Sequence, residues 1–258
     1  MQTRDDPKTH WYPEAHFGGY TDADQVVVFY TRVRSLIEPS SVVLDVGCGR
    51  GGHTDELIPT RRRLRTLKGL SDRLIGLDVD PGASANPFVD EFHVIWPDGT
   101  WPVPAGSVDV LVGDYVLEHV EHPELFFDEC RRVLRPGGYL ALRTTNSHSY
   151  FGLAARALPN RIHAGLVQRM YRSPRGEADV FPVRFRCNTI TKIRAALDRR
   201  GFEHCVYGHQ ADPAHFGFSP ILYRAGVLHQ RYAPDRVKPT IFVFAQLMPD
   251  GQPRLTPT

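Results

Sequence analysis

The stretch Val42-Val43-Leu44-Asp45-Val46-Gly47-Cys48-Gly49-Arg50-Gly51-Gly52 constrains this chain more than any other. A run of β-branched and apolar residues ends in an acid, and glycines follow at once. That order predicts a buried strand delivering the chain into a tight turn at the strand's carboxyl end, where open α/β sheets place their ligands. Gly47 and Gly49 let the backbone take positive φ and approach a ligand without a Cβ clash. The glycines also read as G-x-G-x-x-G. Taken alone, that pattern leaves open a turn without a ligand and a dinucleotide site. Asp45 weighs against the latter, because a carboxylate at the mouth of the turn suits a cationic or hydroxyl-bearing ligand and repels a pyrophosphate.

The 258 residues fit one α/β domain with elaborations, and 41% hydrophobic content supplies its core. A net charge of +2 argues against a protein built to coat nucleic acid. No apolar leader opens the chain and no run approaches a transmembrane span, so a cytoplasmic protein without a membrane partner is expected. Cys48, Cys130, Cys187 and Cys205 are scattered, which favours reduced thiols over disulfides or a metal site.

Along the chain, residues 1–20 read as an irregular aromatic arm. Asp22 is the expected cap of a helix running to about Ile37; residues 1–38 together form an arm and helix that can act as a lid. The core spans 39–146. Its strands are predicted at Ser40–Val46, Leu74–Asp80, Phe92–Ile95, Ser107–Gly113 and Tyr139–Thr144. A helix follows Gly52, limited by Pro59, and another covers Pro123–Leu134. Between the second and third strands only a loop or one helical turn fits. Residues 147–188 form an insert after the fifth strand, expected to cap the substrate pocket. Residues 189–248 return to the same domain, with helices at Thr189–Arg200 and Ser219–Leu228 and strands at Phe202–Tyr207 and Thr240–Leu247. Residues 249–258 are a tail.

Leu44-Asp45-Val46-Gly47-Cys48-Gly49-Arg50-Gly51 resembles the first motif of the class I S-adenosylmethionine-dependent methyltransferases. Gly76-Leu77-Asp78, Trp101-Pro102-Val103-Pro104, Gly106-Ser107-Val108-Asp109, Leu117-Glu118-His119-Val120 and Leu134-Arg135-Pro136-Gly137-Gly138 are similar to later motifs of that family, and all lie between residues 40 and 145. The resemblance implies a Rossmann-like, mostly parallel seven-stranded sheet in the order 3-2-1-4-5-7-6. It implies S-adenosylmethionine as cofactor, leaving as S-adenosylhomocysteine. The implied site is Asp45, Gly47, Cys48, Gly49, Asp78, Val79, Asp98, Gly99, Gly113 and Asp114. Asp45 would take the methionine end and Asp78 the ribose diol, in preference to Asp80, which reads as a turn residue. Asp98 would take the adenine amino group, with a backbone N–H of Gly99 or Thr100 beside it.

For the acceptor, His119, Asp114, Tyr115 and His148 are the candidate catalytic residues, His119 as a base. No Asn/Asp-Pro-Pro-aromatic run follows the fourth strand and no Pro-Cys pair is present, which disfavours nucleic-acid substrates. The expected activity is therefore methylation of a small molecule, foremost on oxygen, with an anionic or carrier-linked metabolite of biosynthesis as the candidate acceptor. Protein or nucleic-acid methylation, a non-catalytic cofactor-binding module and an NAD-linked enzyme are the alternatives. Seven arginines in the insert (Arg156, Arg161, Arg169, Arg172, Arg175, Arg184, Arg186) face only Glu177 and Asp179, which suits an anionic acceptor or a solvated surface. Monomer and homodimer are both open.

Overall fold

A computed structural model of the chain describes residues 7–150, 152–153 and 182–249. Its centre is a seven-stranded sheet in the order β3-β2-β1-β4-β5-β7-β6. The strands are β1 (Val42–Val46), β2 (Arg73–Asp78), β3 (Glu91–Val94), β4 (Val108–Asp114), β5 (Leu134–Thr145), β6 (Phe202–His209) and β7 (Thr240–Leu247). The first five run parallel; β7 lies antiparallel between β5 and β6. β1 lies inside the sheet, between β2 and β4, and Val43, Leu44 and Val46 bury on both of its faces, as a parallel strand covered from both sides requires.

Successive residues serve opposite faces. Leu44, Leu111 and Leu140 pack with Phe126 and Phe127 of α4 (Pro123–Val133) and Ile193 and Leu197 of α5 (Ile190–Asp198). Val43, Val110 and Ala141 pack with Phe29 and Val33 of α2 (Gln25–Ser35).

Three local expectations change. The cap of α2 is Asp24, not Asp22. Its buried carboxylate accepts from the N–H groups of Val26 and Val27, and Arg61 donates to its other oxygen at 2.7 Å. Residues 7–16 are no irregular arm. They form α1 (Pro7–Trp11) and a 3-10 turn at Pro13–His16, and Tyr12 and Ala15 bury against Tyr223 and Val227 of α6 (Pro220–Tyr232). The helix after Gly52 is split. A 3-10 turn covers Gly52–Asp55, and α3 (Pro59–Arg65) starts afresh at the proline, which suits a first helical position. The short β2–β3 crossover is a single 3-10 turn, Pro81–Ala85, as its length demands. Among the described residues no helix is long and apolar enough to cross a membrane.

Candidate active site

The carboxyl ends of β1, β2 and β4 meet at the glycine turn. Gly47, Gly49 and Gly51 have φ of 69°, 56° and 80°. A Cβ at Gly47 would stand 2.3 Å from Val116 Cγ2, so position 47 needs glycine for both backbone and space. The turn is latched from three sides. Gly47 N donates to Leu77 O, Asp78 Oδ2 accepts from Gly49 N at 2.9 Å, and Asn86 Nδ2 donates to the carbonyls of Cys48 and Gly49. Asp78 is buried, and its Oδ1 accepts from Asp80 N. Asp80 caps Gly82 and pairs with Arg50, the turn role its position before Pro81 suggested.

Beside the turn lies a polar pocket lined by Tyr30, Asp45, His53, Arg65, Phe88 and Asp114. Burial and the neighbouring Asp114 charge push the Asp45 carboxyl up to about 7, against the pull of Arg65. Burial also works against charge on Asp114. There the Arg143 guanidinium prevails and holds the carboxyl below the ordinary range, with Nε–Oδ1 and Nη2–Oδ2 both at 2.6 Å and the Tyr30 hydroxyl donating at 2.9 Å. His53 packs on Phe88, and burial together with nearby Arg65 lowers its imidazole to about 4. Arg65 Nε is buried without a hydrogen-bond partner, and so is His53 Nε2. A carboxylate that holds its proton too tightly and a guanidinium N–H with no acceptor thus face one pocket. The ammonium and carboxylate of a zwitterionic amino acid satisfy both, so the residues present fit the methionine end of S-adenosylmethionine.

With a ligand's ammonium on Asp45, the raised carboxyl should make cofactor affinity depend on pH. A ligand that presents a cation binds the ionised form, so binding below pH 7 must drive a proton off Asp45. Affinity for S-adenosylhomocysteine should rise by up to about tenfold per pH unit between roughly 5 and 7, then level off. Asp45→Asn should flatten the profile. Calorimetry across that range, in buffers of differing ionisation enthalpy, reads both affinity and proton release; a flat wild-type profile would refute the assignment. Folding of the free protein shows the opposite trend from this group. Its contribution is full below about pH 4 and declines as pH rises through 7.

On the far side of the turn, Val79 and Trp96 are exposed just past β2 and β3. Asp98 is exposed, and its Oδ1 accepts from Thr100 N. Gly99 N donates to Trp96 O. Both backbone donors expected to meet an adenine are therefore occupied within the turn, which leaves the Asp98 carboxylate as the polar group there.

At the end of β4, a Cβ on Gly113 would meet Leu142 Cδ2 at 2.7 Å, so this glycine serves sheet packing. Asp114 is poorly suited to accept a proton, since Arg143 and Tyr30 occupy its oxygens. Tyr115 adopts φ of 59°, costly for a residue with a Cβ. Its ring covers the Arg143 guanidinium at 4.8 Å and its hydroxyl donates to Gln25 Oε1, so it serves to hold Arg143 in place. His148 is exposed, with its backbone N–H on Asn146 Oδ1. His119 is half-buried, and its Nδ1 lies 3.1 Å from Pro182 O. A carbonyl only accepts, so this contact calls for a proton on Nδ1. Beside it Glu118 is buried and accepts from the hydroxyls of Thr144 and Thr145; burial pushes its carboxyl up.

Of the insert's arginines, Arg156, Arg161, Arg169, Arg172 and Arg175 lie outside the described residues. Arg184 and Arg186 both pair with Glu121, at 2.8 and 2.5 Å, which neutralises part of the charge expected to face an anionic acceptor. Sequence reasoning missed Tyr30, His53, Arg65, Asn86, Glu118 and Arg143. Arg143 had a visible signal: a base closing the apolar run Tyr139–Leu142 needs an acid, and Asp114 is its register partner on β4.

The fold and the turn are like those of the class I S-adenosylmethionine-dependent methyltransferases, and S-adenosylmethionine is the cofactor of that class. Residues 44–142 match the family described as methyltransferase domain. A probable S-adenosylmethionine-dependent methyltransferase of Mycolicibacterium smegmatis is 38% identical over 109 residues, 40% of this chain and 38% of that protein. A ubiquinone biosynthesis O-methyltransferase of Xanthomonas oryzae pv. oryzae is 33% identical over 129 residues, 47% of this chain and 53% of that one. The matches thus span about half or less of these relatives' lengths. Geranyl diphosphate C-methyltransferase from Streptomyces coelicolor A3(2), at 15% identity, shares the fold with a TM-score of 0.51 over 86% of this chain and 75% of its own.

Proposed function

We propose that the protein transfers a methyl group from S-adenosylmethionine to a hydroxyl of a small-molecule acceptor. When bound, the cofactor supplies a methyl carbon activated by a positively charged sulfur. The chain's residues do the rest. Asp78 takes the ribose diol, Asp45 the ammonium and Arg65 the carboxylate. Val79 and Trp96 offer apolar surface to the adenine, and the Asp98 carboxylate accepts its amino hydrogens.

One observation carries the oxygen acceptor: His119, in the segment that follows β4, has Nδ1 3.1 Å from the Pro182 carbonyl, a contact that calls for the proton on that nitrogen. In the neutral ring Nε2 is then the basic atom, the one to take the hydroxyl proton as the acceptor oxygen attacks. Glu118 acts through His119 as a positioning residue, anchored to β5 by Thr144 and Thr145. The likeness to ubiquinone biosynthesis O-methyltransferases supports the same reading.

Formation of S-adenosylhomocysteine with mono- and dihydroxybenzoates tests it, since these carry both a hydroxyl and an anionic group. Turnover is expected with at least one of them. His119→Gln should lower kcat by about 100-fold or more while leaving S-adenosylhomocysteine affinity unchanged. A kcat within threefold of wild type would remove His119 as the base, and turnover confined to amine acceptors would overturn the hydroxyl reading.

A further inference from the structure

Helix α6 has two apolar faces. Tyr223, Gly226 and Val227 bury toward α1 and the 3-10 turn after it. On the opposite side Ile221, Ala225, Leu228 and Tyr232 follow at intervals of four, three and four, which align along one helical stripe. This stripe faces outward: Ile221 is 81% exposed, Tyr232 78% and Leu228 49%, and the exposed Phe218 and Leu222 widen it. A contiguous outward apolar surface of this kind marks an interaction site.

Its surroundings select the partner. The exposed Arg224 and Arg231 run along one side of the stripe. The chain carries no Asp or Glu between Asp212 and Asp235. A large apolar face with arginines along one side is the pattern of a helix lying in the plane of an anionic lipid interface. A helix of this kind needs no long apolar run, so the expectation of no membrane partner, which rested on the lack of such a run, does not bear on it.

We propose that α6 seats the protein on an anionic lipid bilayer. Its position gives that contact a use. Tyr150, just beyond the carboxyl end of β5, packs edge-on against His229 of α6, stacks on Phe216 and hydrogen-bonds His215 Nε2. The lipid-facing helix thus adjoins the end of the sheet where ligands bind, and an acceptor dissolved in the bilayer would meet the protein there. The proposal is independent of the methyl-transfer reading, because its test uses no substrate.

Flotation with phosphatidylglycerol/phosphatidylcholine vesicles, against pure phosphatidylcholine, tests it. The wild-type protein should float with the anionic vesicles, less with the neutral ones, and be released by added salt. Ile221→Asp combined with Leu228→Asp should cut the bound fraction by about tenfold or more. Unchanged circular dichroism and S-adenosylhomocysteine affinity would show that this variant still folds. Arg224→Gln with Arg231→Gln should weaken binding to anionic vesicles alone. Failure of the wild-type protein to float with anionic vesicles would overturn the proposal, as would flotation unaffected by the two aspartates. So would a wild-type dimer that does not float and that the aspartates convert to monomer, for the stripe would then be a subunit interface.

Discussion

Arg143→Met should lower folding stability by about 3–5 kcal/mol, because it leaves the Asp114 carboxylate inside the protein without its counter-ion. Arg143 is 3% exposed and meets Asp114 through two parallel bonds. Its guanidinium is also enclosed by the rings of Phe29, Tyr30 and Tyr115. The methionine fills much of the same volume, so the loss comes from charge and hydrogen bonding rather than from a cavity. For a chain of this size the melting temperature should fall by roughly 10 °C. Arg143→Met with Asp114→Asn should recover a good part of that loss, since the second change removes the stranded charge. Urea titrations of the two single variants and the double variant give the coupling directly. Additive effects would mean that the pair is independent and the account wrong. Tyr115 adds a functional corollary: its left-handed backbone is held in place by the ring's seat on Arg143, so the loop after β4 should also lose order.

The second large effect is expected at Asp78. Asp78→Ala should weaken S-adenosylhomocysteine binding by about 100-fold or more, read by calorimetry. Two charge-assisted hydrogen bonds to a diol are together worth about 3 kcal/mol or more. The same carboxylate accepts from Gly49 N, so its loss also loosens the turn. Asp78→Asn separates these contributions. It keeps an oxygen for Gly49 but supplies no anion, and affinity should fall to an intermediate value. Retention of near wild-type affinity by Asp78→Ala would refute the ribose assignment.

Much of the sheet was legible because its code is local. β1, β2 and β4 are apolar runs that end in acids or glycine, and turn glycines follow β1 directly. The strand order came from resemblance, and the observed order agrees with it. The cap of α2 was misplaced by two residues because Asp22 and Asp24 are equal in type. What selects Asp24 is Arg61, more than thirty positions away. Asp45 and Asp114 were expected at the pocket beside the glycine turn, but the residues that join them there were hidden for the same reason. Tyr30, Arg65, Asp114 and Arg143 come from four separate elements, and no spacing rule links them. His119 stood out as a residue type, but the proton on its Nδ1 depends on a carbonyl at Pro182, far along the chain. The exposed stripe on α6 follows a plain helical period, yet the sequence gives no way to tell an outward apolar face from an inward one.

The place of β7 has a consequence for how the protein is made. β5 is complete about a hundred residues before β7, its neighbour in the finished sheet, begins. At ribosomal rates that interval lasts roughly 5–20 s. Throughout it the edge of β5 from Tyr139 to Thr145, with Leu140 and Leu142 along it, offers unpaired backbone groups to any other extended chain. The nascent protein therefore passes through a stage in which its most buried strands are already assembled and its most adhesive edge is still open. Crowding on polysomes should penalise that stage more than it penalises the finished fold.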